Sequence, residues 1–241
     1  MRKRTAARAV MALGFLIAIH PLALGAQQIV VPAVVPTASP AWVIGDVPDD
    51  VWQRVEDASI AADEDRSRLL VEAEANAREH LAERPESVDR RFALAVVLGM
   101  RADREGGRTK IRAASALHDE LSTILEQDPD HARARYLMGR LHAGVRRMNR
   151  VTRWLATNLL GGATLKQASW ERAEEHLVFA ERVAPEVPDH HLQLARLYED
   201  TGRPDLALQD LEHVFAREAR SPLERQAHAE AAQRAAALGG S

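Results

Sequence analysis

Apolar residues recur every three or four positions over most of the chain, and this period predicts helices. Two stretches share one spacing, in which apolar residues at the first, fifth and eighth positions precede a proline at the thirteenth. Equal spacing in separate segments indicates an internal repeat. The two matching sets are Leu117, Leu121, Ile124 and Pro129, and Ala173, Leu177, Ala180 and Pro185.

A third segment extends the repeat, because Ala207, Leu211 and Val214 follow the turn at Gly202 with the same offsets. These offsets are those of the second helix of a tetratricopeptide (TPR) repeat. The sequence therefore predicts an all-α fold, a right-handed stack of TPR-like helix pairs (an α-solenoid). Stacked repeats of this kind usually present a binding surface.

The units of the repeat have unequal lengths. The step from Gly139 to Ala173 is 34 residues, whereas the analogous step from Ala195 to Ala207 is 12, so about 22 residues are inserted. An apolar stripe continues through the insertion and predicts one lengthened helix to near Leu160, ended by two glycines. Other helices are predicted from about Asp63 to Pro85, Ser87 to Gly106, Lys110 to Gln127, and, as a cap, Pro222 to Leu238.

The N-terminal segment resembles a secretory signal. Residues 1–26 have a basic start, an apolar run and small residues at the expected cleavage position. The sequence predicts export to a bacterial periplasm, a proline- and valine-rich linker at 27–50 and a helical repeat domain at 51–241. Because the chain has no cysteine, neither disulfides nor a lipoprotein anchor is expected. The alternative is that the segment is kept as an anchor, although its apolar run is shorter than the roughly 20 residues that span a bilayer.

A family resemblance covers roughly residues 65–218. The residues that carry it are Gly139-Arg140, Trp154, Leu160-Gly161-Gly162, Ser169-Trp170-Glu171-Arg172-Ala173, Ala180-Glu181, Pro185, Leu192, Tyr198 and Gly202. The chain resembles bacterial relatives of the regulator of microtubule dynamics family, which implies a TPR-like helical fold. Eukaryotic members are associated with microtubules or membrane contacts. Because this chain is expected to be exported from a bacterium, the resemblance implies the fold and not that role. The chain departs from the family at residues 141–145, where aromatic residues are usual.

Positive charge is concentrated in the insertion and the helix before it. Residues 131–170 contain seven arginines, one lysine and no aspartate or glutamate, although the whole chain has a net charge of -3. Removing residues 1–26, which carry four basic residues and no acids, makes that charge -7. The candidate binding residues are the groove-lining set Arg133, Tyr136, Arg140 and Arg147, the neighbouring column Arg146, Arg150 and Arg153, and Trp154.

Arginine side chains suit carboxylates and phosphates. The expected partner is a protein or acidic peptide held in a partly arginine-lined groove. One alternative is that the arginines pair with acids on adjacent helices, and another is that the basic helix 131–160 binds anionic lipid. Trp154 either forms an aromatic platform with Trp170 or closes the core. Nucleic acid is not expected, because the exported chain is acidic.

No catalytic residue, cofactor or metal is predicted. The sequence lacks the Gly-x-Ser-x-Gly motif, a phosphate loop and the glycine fingerprint of dinucleotide binding. The adjacent His190 and His191 point about 100° apart on a helix, so they cannot form the pair on one face that a zinc motif supplies. The sequence thus favours a non-catalytic scaffold.

Overall fold

A computed structural model describes residues 46–219 and 222–239, which form α-helices, one short 3-10 helix and no strand. The predicted signal and nearly all of the predicted linker lie outside the described residues. The helices are α1 (Asp49–Ile60), α2 (Asp63–Glu83), α3 (Val88–Arg104), α4 (Gly107–Gln127), α5 (Ala132–Arg147), α6 (Arg150–Asn158), α7 (Trp170–Val183), α8 (Pro188–Asp200), α9 (Pro204–Phe215) and α10 (Pro222–Gly239).

Successive helices pack as hairpins: α1 with α2, α3 with α4, α5 with α7, and α8 with α9. Each hairpin also contacts the next, and α10 covers the last one. The apolar stripes that define the repeat form the core, since the side chains of Leu121, Leu177 and Leu211 are almost wholly buried. The expected all-α, α-solenoid fold is confirmed.

The hairpin of α5 and α7 depends on the glycine in the middle of α5. A Cβ atom on Gly139 would lie 2.8 Å from Cγ of Leu177 and 3.0 Å from the carbonyl oxygen of Ala173. Real Cβ atoms do not come this close to other atoms, so only glycine fits here. The backbone of α5 at Gly139 packs directly against α7. This contact fixes how closely α5 packs against α7.

The prediction of one lengthened helix to near Leu160 is wrong. Helix α5 ends at Arg147, and Met148 has an extended backbone with φ -61° and ψ 138°. The Asn149 side chain then accepts a hydrogen bond of 2.9 Å from the backbone N–H of Thr152, which caps a new helix, α6. The Arg153 guanidinium donates to the carbonyl oxygens of Arg146 and Met148, at 3.1 Å and 3.0 Å, where α5 ends.

Helix α1 was not anticipated by the sequence analysis. It places Val51, Val55 and Ala58 on one face, and all three side chains are buried against the rest of the core. The helix at the other end, α10, occupies the range predicted for the cap. Among the helices that the structure describes, none has both the length and the apolar character needed to cross a bilayer.

Candidate binding surface

The inner helices α5, α8 and α10 lie side by side and carry a connected set of polar side chains. Arg140 Nη1 donates to the hydroxyl oxygen of Tyr136 at 3.1 Å, and that hydroxyl donates to Oδ2 of Asp189. The Gln193 amide donates to the other oxygen of Asp189 at 3.2 Å. Burial raises the pKa of Tyr136 well above its usual value, so the phenol remains a donor.

The same set continues from α8 to α10. Arg196 donates to Oε1 of Gln193 at 3.2 Å and to both carboxylate oxygens of Glu230. Arg234 bridges Glu230 and Glu199 through hydrogen bonds of 2.8 Å and 2.7 Å. Because these charged groups satisfy one another, most of this face is already paired within the protein.

One part of the inner face is not paired. The two carboxyl oxygens of Asp103, on α3, and Nη2 of Arg140 are buried and make no hydrogen bond to the residues that the structure describes. Burial raises the pKa of Asp103 to about 8, opposed by the charges of Arg140, Lys110 and Arg196. A largely neutral carboxyl at pH 7 explains how Asp103 lies unpaired beside cations.

The other predicted groove residues have partners within the chain. The Arg133 guanidinium lies 5.0 Å from the centre of the Phe92 ring. Arg147 Nε donates to Oδ2 of Asp200 at 2.7 Å, and its side chain is 25% exposed. Tyr136 and Arg140 are 4% and 3% exposed. The structure thus brings this set to one side of α5 and pairs it internally, an arrangement that the sequence analysis left open as an alternative.

Helix α6 differs from the paired helices in its packing, because it packs mainly on the 3-10 helix Ala163–Gln167 rather than on the stack. Its buried residues are Ala156 and Thr157. The chain then turns at Gly161, whose φ is +88°, and Gly162 follows with no room for a Cβ atom, which would lie 2.7 Å from the Ala156 carbonyl oxygen. This turn fixes which face of α6 is turned outward.

The outward face of α6 is apolar. Four of the eight large hydrophobic side chains that are exposed among the described residues lie on α6 or at its end. They follow a helical period, so they share one stripe. Their exposed fractions are 69% for Val151, 57% for Trp154, 37% for Leu155 and 59% for Leu159.

Three arginines lie close to this stripe along the chain: Arg146 at the end of α5, and Arg150 and Arg153 in α6. Arg150 is exposed, and the other two are partly buried. Burial, together with the charges of Arg146 and Arg150, lowers the pKa of Arg153. We call Arg146, Arg150, Val151, Arg153, Trp154 and Leu159 the α6 surface.

Sequence reasoning selected four of these six residues, because it read the arginines and Trp154 from composition and spacing. Val151 was not part of the predicted apolar stripe, and Leu159 entered only as one of the residues that predicted a lengthened helix. Trp170, the other half of the expected aromatic platform, is partly buried against the core. Trp154 is therefore the exposed aromatic residue of the pair.

A row of imidazole rings lies inside the stack, where α4, α5 and α7 meet. The ring centres of His118 and His142 are 6.4 Å apart, and those of His142 and His176 are 5.8 Å apart. Nδ1 of His142 accepts the backbone N–H of Ser169 at 3.3 Å. Burial lowers the pKa of His142 to about 3 and that of His176 to about 4, so both rings are neutral at pH 7.

The fold and this surface define a class of protein, an all-helical repeat with an inserted amphipathic helix. Residues 53–239 match the family model described as Regulator of microtubule dynamics protein 1-3. The chain belongs to this family, which confirms the predicted relation to it. A search of curated proteins found no significant match.

Proposed function

We propose that this protein is a non-catalytic scaffold that binds an acidic, partly apolar segment of another protein at the α6 surface. The observation that carries the proposal is the exposed stripe formed by Val151, Trp154 and Leu159 in a segment that also holds the exposed Arg150 and the partly buried Arg146 and Arg153. A contiguous exposed apolar patch with a charged rim is typical of an interaction site. The partner's carboxylates match the arginines, and its apolar side chains cover Trp154.

The charge distribution supports an acidic partner. The forty residues from His131 to Trp170 contain no acid, so the arginines of α6 have no acidic neighbour within their own segment. Arg153 donates to backbone carbonyls rather than to a carboxylate. Arginine forks at such a position bind carboxylates in a bidentate manner, and tryptophan is enriched among residues that dominate interface energies.

The inner face is the less favoured surface for this partner. Its arginines already bind Tyr136, Gln193, Glu230 and Asp200, so a ligand there would have to break existing pairs. Displacing a partner would leave its carboxylate without the arginine that it now binds, and the ligand would have to offset that cost. The proposal therefore uses Arg146, Arg150, Arg153 and Trp154 of the predicted site, and it assigns the remaining members a structural role.

An anionic membrane is the second candidate, because a short helix with exposed Trp and Leu side chains and a basic rim also suits an interface. We favour a protein partner since an extended bilayer would face the rest of the chain as well. That remainder is strongly acidic when residues 1–26 are left out, and a negative surface potential would repel it. A peptide contacts only the local positive region.

The finer identity of the repeat and the compartment belong to the same proposal. The shared spacing of Leu117, Leu121 and Ile124 and of Ala173, Leu177 and Ala180 supports TPR-type units. The basic and apolar start of the chain supports export, with the scaffold acting in a bacterial periplasm. An exported scaffold of this kind would meet its partner in the cell envelope.

The proposal is tested by selecting binders to the full chain from a random peptide display library. We expect the enriched peptides to combine Asp or Glu with Leu, Phe or Trp. Replacing Arg150→Glu and Trp154→Ser together should raise the Kd of such a peptide at least about tenfold, because central aromatic and arginine residues contribute most to binding. The Kd is measured by fluorescence anisotropy, and it should also rise with salt.

Two other exposed residues provide the matched control. The pair Arg182→Glu and Val183→Ser makes the same kinds of change at the C-terminal end of α7, the end opposite the insertion, and should leave the Kd unchanged. Enriched peptides that are basic or neutral, or peptides that bind the α6 variant as tightly as the unmodified chain, would contradict the proposal. Flotation with phosphatidylglycerol vesicles but not with phosphatidylcholine vesicles, lost in the α6 variant, would favour the membrane candidate instead.

A further inference from the structure

The hairpin of α8 and α9 brings together two imidazole rings and a carboxylate that take no part in the α6 surface. His191 lies on α8, and Asp210 and His213 lie one turn apart on α9, so the latter two share a helix face. One potential ligand atom from each of the three residues lies within 4.8 Å of the other two. The ring centres of the histidines are 4.9 Å apart.

The hydrogen bonds of His191 fix which of its nitrogens faces the cluster. Nε2 lies 3.0 Å from the carbonyl oxygen of Pro185, and a carbonyl oxygen can only accept, so Nε2 carries a proton. Nδ1 lies 3.0 Å from Oδ1 of Asp210. In a neutral ring, Nδ1 carries a lone pair that faces a carboxylate oxygen. Two acceptors at this distance require a positive group between them, either a proton or a metal ion.

That arrangement matches the surroundings of a bound metal ion. Histidine ligands commonly donate their second N–H to a backbone carbonyl, as His191 does to Pro185. Two ligands of one tetrahedral zinc ion, each about 2.0 Å from it, are about 3.3 Å apart, close to the separation of Nδ1 and Oδ1. The His213 side chain is on the exposed side, so it adds a donor and leaves room for water.

We propose that His191, Asp210 and His213 bind one divalent transition-metal ion of the Zn²⁺ class. Two imidazole nitrogens and one carboxylate oxygen are the donor set that such ions accept, with water in the remaining position. The ion joins α8 to α9 and thereby fastens the hairpin that precedes the α10 cap. The adjacent His190 and His191, which did not predict a metal site, are not the pair used here, because the ligands come from two helices.

The structure also shows why His190 is not a ligand. Its ring packs against Tyr136 with ring centres 4.8 Å apart, and its Nδ1 lies 3.2 Å from the Ala184 carbonyl oxygen. His190 thus points towards α5, and His191 points towards α9. The orientation of His191 depends on the pairing of α8 with α9, which a local sequence pattern does not encode.

The test is calorimetric titration of the metal-free full chain, without an affinity tag, with ZnCl₂. We expect one ion per chain and a higher melting temperature in its presence. His213→Gln changes an exposed side chain and should weaken Zn²⁺ binding at least about tenfold, since losing even an outer partner of a ligand costs about 10- to 100-fold. Asp210→Asn should do the same, and bound Co²⁺ should show the intense visible absorption of a tetrahedral site.

His80→Gln, which removes a histidine from α2 at the other end of the stack, is the matched control and should bind Zn²⁺ normally. Absence of saturable binding would overturn the proposal, as would equal affinity in His213→Gln. So would a nitrogen-15 NMR spectrum in which both ring nitrogens of His191 stay protonated at saturating Zn²⁺. In that case a proton, rather than a metal ion, lies between Nδ1 and Asp210. None of these outcomes depends on peptide binding at the α6 surface.

Discussion

Replacing His142→Asn and His176→Gln together should make the protein more resistant to acid by about 3–5 kcal/mol. The folded-state pKa values of about 3 and about 4 lie below the value of 6.5 for an unperturbed histidine. Protons therefore bind the unfolded chain preferentially as the pH falls below 6.5, and stability is lost until the pH reaches the folded-state pKa values. Each pH unit in this window costs about 1.4 kcal/mol per ring.

The measurement is urea unfolding at pH 7 and pH 4.5, followed by circular dichroism. The free energy of unfolding of the double variant, relative to the unmodified protein, should rise by this amount between the two pH values. Other titrating groups, including Asp103, are common to both proteins and cancel in the difference. Asn at position 142 keeps an acceptor near the place of Nδ1 for the Ser169 N–H.

His80→Gln is a control of the opposite sign. Burial lowers the pKa of His80, but hydrogen bonds and charge interactions with Asp50 and Glu83 outweigh this, and the net shift is upward. A raised folded-state pKa contributes stability that is present below pH 6.5 and is lost as the pH rises through that pKa. The free energy of unfolding of His80→Gln, relative to the unmodified protein, should therefore fall on acidification, by a smaller amount. Equal acid sensitivity of the double variant and the unmodified protein would show that the two rings are not held neutral by burial.

Gly139→Val should destabilise the protein by about 3 kcal/mol. The first added carbon already lies within 3.0 Å of Leu177 and of the Ala173 carbonyl oxygen, and valine adds two more. One of these contacts is to backbone, so α5 and α7 would have to separate, and overpacking of a tight contact typically costs about 1–3 kcal/mol. Thermal and urea unfolding measure the loss.

Gly106→Val is the matched control for this steric argument. A Cβ atom at Gly106 meets nothing within 4 Å, and its backbone, with φ -112° and ψ 166°, is extended, which suits valine. Gly106 is the N-cap of α4, where valine is less favoured than glycine, so its stability should fall by no more than about 1 kcal/mol. If Gly139→Val were as stable as this control, close packing of α5 on α7 would not account for the glycine in the middle of α5.

The fold was largely predictable because each second helix of the repeat encodes its buried face locally. Leu117, Leu121 and Ile124 lie on one face whatever their neighbours do, so spacing alone identifies them as core. The break before α6 was not predictable in this way. Met148 and Asn149 fit the helical period in the sequence. The start of a new helix shows only in the structure, where the Thr152 N–H donates a capping hydrogen bond to the Asn149 side chain.

The charge of the α6 surface was predictable from the sequence, but which of its residues are exposed was not. Composition identifies Arg146, Arg150 and Arg153, since an acid-free segment is visible in the sequence itself. Whether Trp154 faces the core or the solvent depends on the turn at Gly161 and Gly162, and hence on packing between distant segments. The cluster of His191, Asp210 and His213 was not predictable from the sequence, because its side chains come from α8 and α9 and form no local motif.

Site-directed photo-crosslinking tests most directly whether the α6 surface binds a partner. Because the chain has no cysteine, Val151→Cys can carry a benzophenone group at one defined position, and Val183→Cys on α7 is an exposed control. In the cells that produce the protein, we predict a protein adduct from position 151, attached within an acidic segment, and none from position 183. The same adducts from both positions, only lipid adducts, or no adduct from position 151 would contradict the account.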